Sequence, residues 1–196
     1  VIVQDGLRRM YVEQENIFYY ITCMNENYMH PAMPEGAAEG IVRGMYRLRE
    51  GATGKQACVQ LFGSGTILRE VEAAAVHLEE QYNIAAGIWS ITSYSELRRD
   101  GIDCEHWNLR HPEQTPQQSY VAGCLQDVYG PFIAASDYMR SVPDQIRQWV
   151  PGAYHVLGTD GFGRSDSRRA LRAHFEVNRN NIVLAALRAL ADEGAV

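Results

Sequence analysis

Two stretches carry the residue types that could do chemistry. The first is Asn25-Glu26-Asn27-Tyr28-Met29-His30, where a carboxylate and an imidazole lie four residues apart behind an apolar run. Sheets with helices on both faces place ligands beyond the carboxyl ends of their strands, so Glu26 and His30 could act there as an acid–base pair. A plain linker would read the same way. The second stretch is Gly158-Thr159-Asp160-Gly161-Phe162-Gly163-Arg164-Ser165, between a short apolar run and a helical pattern. Strand, glycine loop and helix is the layout that cradles phosphates.

The second stretch departs from a phosphate loop at two places. Arg164 stands where a compact lysine ammonium would reach the terminal phosphates, and Asp160 puts a carboxylate inside the cradle. Read as a dinucleotide fingerprint it lacks the third glycine. The competing reading is a tight corner. Gly161 and Gly163 supply positive φ, Phe162 anchors the loop or a neighbouring subunit, and Ser165 or Asp166 caps the next helix. Other clusters are thinner. Cys104, Glu105, His106 and His111 make half a metal site and lack further ligands. Ser64 has no nucleophile-elbow motif around it. The bland reading of Cys23, Cys58, Cys104 and Cys124 is small buried hydrophobes in a reducing cytoplasm.

Composition narrows the class of partner. The chain has 196 residues, 46% of them hydrophobic, a formal charge of -6 and a single lysine, Lys55, which argues for a globular domain and against nucleic acid as partner. No apolar run approaches membrane-spanning length and no signal peptide is evident. The chain lacks an initiator methionine and opens directly in a helical pattern, so a piece of a longer polypeptide is expected.

The elements that must position these stretches follow from periodicity. Residues 1–14 read as the end of a helix, and Ile17–Met24 as a buried strand. Two prolines in 29–36 make a crossing segment. Residues 37–50 read as a short helix or irregular piece, and Gly51–Gly54 as a turn. Strands are expected at 58–62, 87–93, 132–136 and 154–157. Helices are expected at 67–82, from 94 towards 110 with loosening at Gly101, at 143–150, 167–175 and 182–193, with 177–181 a turn and 120–127 ambiguous. Ile67, Val71, Ala74, Leu78 and Tyr82 share one face of the first of these helices. Apolar strands alternating with helices predict an α/β fold, a mostly parallel doubly wound sheet.

The same stretches carry a resemblance. Asn25-Glu26-Asn27-Tyr28, Pro31-Ala32-Met33-Pro34-Glu35-Gly36, Leu61-Phe62-Gly63-Ser64-Gly65, Ser136-Asp137-Tyr138, Leu157 to Asp166 and His174-Phe175-Glu176-Val177 together resemble the carboxy-terminal part of the homodimeric pyruvate dehydrogenase decarboxylating component. That family is thiamine-diphosphate-dependent and similar in fold to transketolase. The resemblance covers essentially the whole chain.

The resemblance implies that residues 1–28 end a pyrimidine-binding domain, that 29–55 link, and that 56–196 form a transketolase-like carboxy-terminal domain. It implies a cytoplasmic homodimeric enzyme that decarboxylates pyruvate and acetylates a lipoyl group on an acyltransferase component. It also implies that the thiamine diphosphate and magnesium ligands lie mostly upstream, so that this segment alone is inactive and serves structure or dimerisation. Asn25, Glu26 and His30 would face the mouth of the substrate channel. Asp160, Gly161, Phe162, Gly163 and Arg164 would form an interface or packing loop. The alternative is a stand-alone interaction or nucleotide-binding module using Gly158–Ser165.

Overall fold

The computed structural model describes residues 1–25 and 27–196, so Glu26 lies outside the described residues. Five strands form one sheet in the order β1-β3-β2-β4-β5: β1 (Met45–Arg49), β2 (Ala57–Ser64), β3 (Ile84–Ile91), β4 (Phe132–Ala135) and β5 (Tyr154–Leu157). β2, β3, β4 and β5 run parallel, and β1 joins the β3 edge antiparallel. The mostly parallel doubly wound sheet expected from the apolar runs is therefore present.

The parallel strands are apolar on both sides because helices cover both sides. Residues alternate between two cores with the period of two that a pleat requires. Val59, Leu61, Ile84, Ala86, Ile88, Ile133 and Ala135 face α3 (Leu68–Gln81) and α7 (Arg179–Asp192), where Val71, Ala74, Leu78, Ile182, Ala186 and Leu190 meet them. Phe62, Trp89, Ile91, Phe132, Ala134 and Tyr154 face the other way. They pack with Leu97 of α4 (Tyr94–Arg110), Val121 and Leu125 of α5 (Tyr120–Leu125), and Ile146 of a 3-10 segment at Pro143–Trp149. Leucine-sized side chains buried to this degree are each worth about 2–5 kcal/mol against alanine.

The amino-terminal segment behaves differently. α1 (Ile2–Leu7) continues as one π-helical turn, Arg8–Val12. Tyr19 packs on it: a Cβ at Gly6 would lie 3.2 Å from the Tyr19 ring, whose hydroxyl donates to Asp5 Oδ2 at 2.5 Å and accepts from Arg9 Nη1 at 3.1 Å. The buried strand expected at Ile17–Met24 does not form. Its composition favours a strand, but none of the five strands runs alongside it, so it has no ladder; Phe18 and Tyr20 are both 86% exposed.

Other boundaries move for local reasons. α2 (Ala38–Arg43) ends at Gly44, whose φ of 108° turns the chain straight into β1, so 37–50 holds a helix and a strand. α4 does not loosen at Gly101: it is helical throughout, and a Cβ there would fall 2.3 Å from the indole of Trp149. α7 starts at Arg179 rather than Ile182, because the Asn178 side chain accepts from the backbone N–H groups of Asn180 and Asn181. α6 (Arg168–His174) is capped by Ser167, whose hydroxyl accepts from Ala170 N, and not by Ser165 or Asp166. Tyr82, at the end of α3, is exposed, unlike the rest of its predicted face.

Candidate functional site

Strand order fixes where a ligand-sized crevice can open. From β2 the chain passes to β3 on one side of β2 and then to β4 on the other, so the loops after β2 and β4 leave in opposite directions. This is the switch point at which open α/β sheets place their ligands. Its floor here is polar. Ser64 Oγ donates to Ser136 Oγ at 2.8 Å, and Ser136 Oγ accepts from Tyr138 N at 3.1 Å. Neither serine has a histidine partner among the described hydrogen bonds, so the pair ties β2 to β4 without forming a nucleophile.

Asp137 stands beside them. Crowding by protein raises the pKa of its carboxyl, while its own backbone N–H and the charge of Arg172 oppose the rise. The residue is nevertheless partly open to solvent. Asp137 is therefore an acid at the crevice lip and not a fully buried one.

The glycine loop leaves β5 next to this lip and is fastened to the β4 loop. Thr159 N donates to Tyr138 O at 2.9 Å, Thr159 Oγ1 donates to Asp137 O at 2.7 Å, and Asp160 Oδ1 accepts from Arg140 N at 2.9 Å. Gly158 is required by this approach, since a Cβ would lie 2.7 Å from Tyr138 O. The Thr159 amide and hydroxyl and the Asp160 carboxylate are thus spent on the neighbouring loop. Gly161 has a φ of 92°, as a tight corner needs, but Gly163 does not adopt positive φ. Phe162 anchors nothing within the chain, being 96% exposed at the tip.

The first stretch reaches this same lip. Arg168 Nη2 donates to Asn25 Oδ1 at 2.7 Å, and the hydroxyls of Thr22 and Tyr138 share a hydrogen bond at 2.8 Å. The Arg69 guanidinium lies 4.7 Å from the centre of the Tyr28 ring, and that ring stands 4.7 Å from the His30 ring. The structure therefore brings Asn25 and His30 to the carboxyl ends of the parallel strands. It does not describe Glu26, so the acid–base pair has no geometry on that side.

Sequence reasoning missed Thr22, Arg69 and Arg168, whose contacts span long intervals of chain and leave no periodic signal. It also missed Glu70, at the start of α3, which is buried and joins α3 to α6 and α7. Burial pushes the Glu70 pKa up, but hydrogen bonds from the side chain and backbone of Arg179 outweigh it, and the carboxyl is held below its usual value. Arg172 approaches the same carboxylate at 3.4 Å.

Among the described residues no group of three His, Cys, Asp or Glu side chains could hold a metal ion. Cys104 Sγ donates to Gln118 O, Glu105 accepts from Trp149 Nε1, and His111 stacks on Trp107, so these residues hold the end of α4. All four cysteines are free thiols. Cys23 is exposed and the other three are half-buried, which corrects the fully buried reading. No helix among the described residues is long and apolar enough to cross a membrane.

These features define a doubly wound α/β domain whose carboxyl edge is crossed by its own amino-terminal segment. The chain belongs to the family described as the transketolase-like TK C-terminal domain, which matches residues 44–178. Residues 1–31 match the pyruvate dehydrogenase E1 component middle domain. Among relatives, the pyruvate dehydrogenase E1 component of Pseudomonas aeruginosa is 59% identical over the whole chain, and that of Escherichia coli is 54% identical, again over the whole chain. The chain spans 22% of the length of each of these relatives. Solved structures share the fold: a split-gene transketolase, described as an inactive beta4 tetramer, aligns at a TM-score of 0.53 with 17% identity over 76% of this chain and 43% of its own. The transketolase from Leishmania mexicana aligns at 0.51 with 15% identity, over 79% of this chain and 19% of its own.

Proposed function

We propose that this chain is the carboxy-terminal part of a pyruvate dehydrogenase decarboxylating enzyme. In this reading the whole protein decarboxylates pyruvate with thiamine diphosphate and transfers the acetyl group to the lipoyl group of an acyltransferase. The observation that carries the reading is the 59% identity over the whole chain to a pyruvate dehydrogenase E1 component, with the middle-domain and carboxy-terminal-domain matches in the same order along it. Residues 1–28 then end the pyrimidine-binding domain, 29–55 link, and 56–196 are the third domain. The protein would be a cytoplasmic homodimer.

The residues present do not fit the diphosphate and its magnesium. The described residues hold no metal-ligand cluster, and the glycine loop has Asp160 inside it and its Thr159 amide already bonded. Thiamine diphosphate and magnesium are accordingly assigned to the upstream part of the longer polypeptide. When bound, thiamine diphosphate supplies the carbanion-stabilising chemistry. What this chain would supply is placement: Asn25, Glu26 and His30 at the mouth of the substrate channel, and the exposed Asp160–Arg164 loop as an interface element.

The test compares two polypeptides. The full-length protein should release carbon dioxide from pyruvate and acetylate a lipoyl domain, dependent on thiamine diphosphate and magnesium. Residues 1–196 alone should do neither. Decarboxylation by residues 1–196, or its absence from the full-length protein, would overturn the reading.

A further inference from the structure

Between Asn16 and Pro34 the described residues of the amino-terminal segment form neither helix nor ladder, yet its side chains reach the carboxyl end of the sheet at three separate places. Thr22 meets Tyr138, just after β4. Asn25 meets Arg168, at the start of α6 beyond β5. Tyr28 lies under Arg69, at the start of α3 beyond β2. β2, β4 and β5 are consecutive neighbours in the sheet. The described residues of the segment therefore reach the ends of three adjacent strands.

The ties differ in chemistry, which fixes position better than one kind of contact would. Arg168 to Asn25 is a charge-assisted hydrogen bond, worth roughly twice a neutral one. Thr22 to Tyr138 is neutral and directional. Arg69 over Tyr28 is a cation–π contact. Tyr28 is the only described residue from Tyr20 to His30 that is half-buried, and its ring carries His30 on its other contact. Arg69 and Tyr28 thus set where the imidazole stands. The other described residues from Tyr20 to His30 are exposed, so little apolar burial holds them down.

We infer that Tyr138, Arg168 and Arg69 are positioning residues: they clamp residues 22–30 across the carboxyl ends of β4, β5 and β2 and so hold Asn25 and His30 in place. For its effect on catalysis the inference rests on the channel-mouth reading above; for the clamp itself it does not. The three residues belong to three different elements of the third domain, so the clamp makes the placement of an amino-terminal segment a property of the carboxy-terminal sheet.

The experiment uses the full-length protein and reads amide hydrogen exchange of peptides covering residues 20–30 together with steady-state kinetics. Arg168→Ala and Asn25→Ala should each speed exchange there by about 5- to 10-fold, as loss of one charge-assisted tie permits. The double variant should exchange no faster than Arg168→Ala, because that change already removes the bond to Asn25. Arg168→Lys should recover part of the protection, since an ammonium still donates to Asn25 Oδ1. Arg169→Ala, the exposed neighbour, should leave exchange unchanged. KM for pyruvate or the lipoyl acceptor should rise several-fold with a smaller change in kcat. Unchanged exchange in Arg168→Ala, or full additivity with Asn25→Ala, would overturn the clamp whatever the kinetics show. Faster exchange with KM unmoved would sustain the clamp and overturn the channel-mouth placement. A thermal melt of each variant separates both results from global loss of fold.

Discussion

Arg179 gives Glu70 three hydrogen bonds: its backbone N and Nε donate to Oε2 at 3.0 Å each, and Nη2 donates to Oε1 at 3.3 Å. With Arg172 on the same carboxylate, one acid at the start of α3 holds the last turn region of α6 and the first residue of α7. Removing it takes away the carboxylate that both guanidinium groups approach beside an apolar core. Breaking a buried pair costs about 3–5 kcal/mol, but the Arg179 side chain is half open to water, so Glu70→Ala is expected to cost nearer 2 kcal/mol. Denaturant melts measure this directly. The pH dependence has a definite sign. The Glu70 carboxyl is held below its ordinary value of 4.5, so its contribution is present above that pH and fades as pH falls through the lowered value. The stability gap between wild type and Glu70→Ala should therefore narrow below about pH 4. A gap equally wide at pH 3 and pH 7 would contradict the assignment.

Asp137 predicts the opposite sign. Its pKa is raised, so ionisation disfavours the folded state, and that cost is in place at neutral pH. Asp137→Asn should raise Tm at pH 7 and leave it unchanged below the ordinary aspartate value of 3.8, where both forms are neutral. Because the residue is partly solvated, the rise is expected to be a small one of a few degrees at most. Calorimetric scans at the two pH values decide it, and a fall in Tm at pH 7 would mean that the carboxylate is stabilising.

Gln60 offers a spectroscopic handle on the sheet. Its Oε1 accepts from the indole Nε1 of Trp89 at 3.0 Å, and its Nε2 donates to Tyr129 O at 3.0 Å, so a buried amide is satisfied at both ends. Space for it exists because Gly87 has no side chain: a Cβ there would lie 2.3 Å from Gln60 Oε1. Gly87→Ala should expel the amide, leave the indole N–H and a carbonyl without partners, and cost roughly 2–4 kcal/mol. The Trp89 contribution to fluorescence should shift with it. An unchanged emission spectrum and unchanged stability would show that Gln60 can be accommodated elsewhere.

Much of the sheet was legible because buried parallel strands are apolar on both faces. Val59–Phe62, Ile88–Ile91 and Phe132–Ala135 read as strands from composition alone, and Ala74 and Leu78 read as a core face from their spacing. β1 was not legible, since Met45-Tyr46-Arg47-Leu48-Arg49 is a half-exposed edge strand with two arginines that stack or pair at its surface. Ile17–Met24 misled for the converse reason. Apolar and aromatic residues announce that something will be covered, but a strand also needs a ladder partner, and sequence does not say where the partner is. The strand-end rule was applied to Ile17–Met24, which forms no strand; Asn25 and His30 reach instead the carboxyl ends of other strands, far along the chain. The residues that hold them there, Tyr138, Arg168 and Arg69, lie far along the chain and form pairs that no local pattern encodes.

Phe162 gives the sharpest separation between a packing role and an interface role. It sits between Gly161 and Gly163, where added Cβ atoms would meet nothing within 4 Å, and it is 96% exposed. A packing role within the chain predicts a cost of about 3 kcal/mol for removing a large aromatic. The geometry predicts almost none, because no apolar surface of this chain is lost. Phe162→Asp should therefore leave the Tm of residues 1–196 within about a degree of the parent, as expected for an exposed loop site. In the full-length protein the same change should weaken self-association, because an aromatic seated in a partner's recess is the kind of residue that dominates interfaces. Sedimentation velocity across a dilution series reads this out. A dissociation constant raised at least tenfold supports the Asp160–Arg164 loop as an interface. An unaltered constant with unaltered Tm removes the loop from the interface and from the core alike.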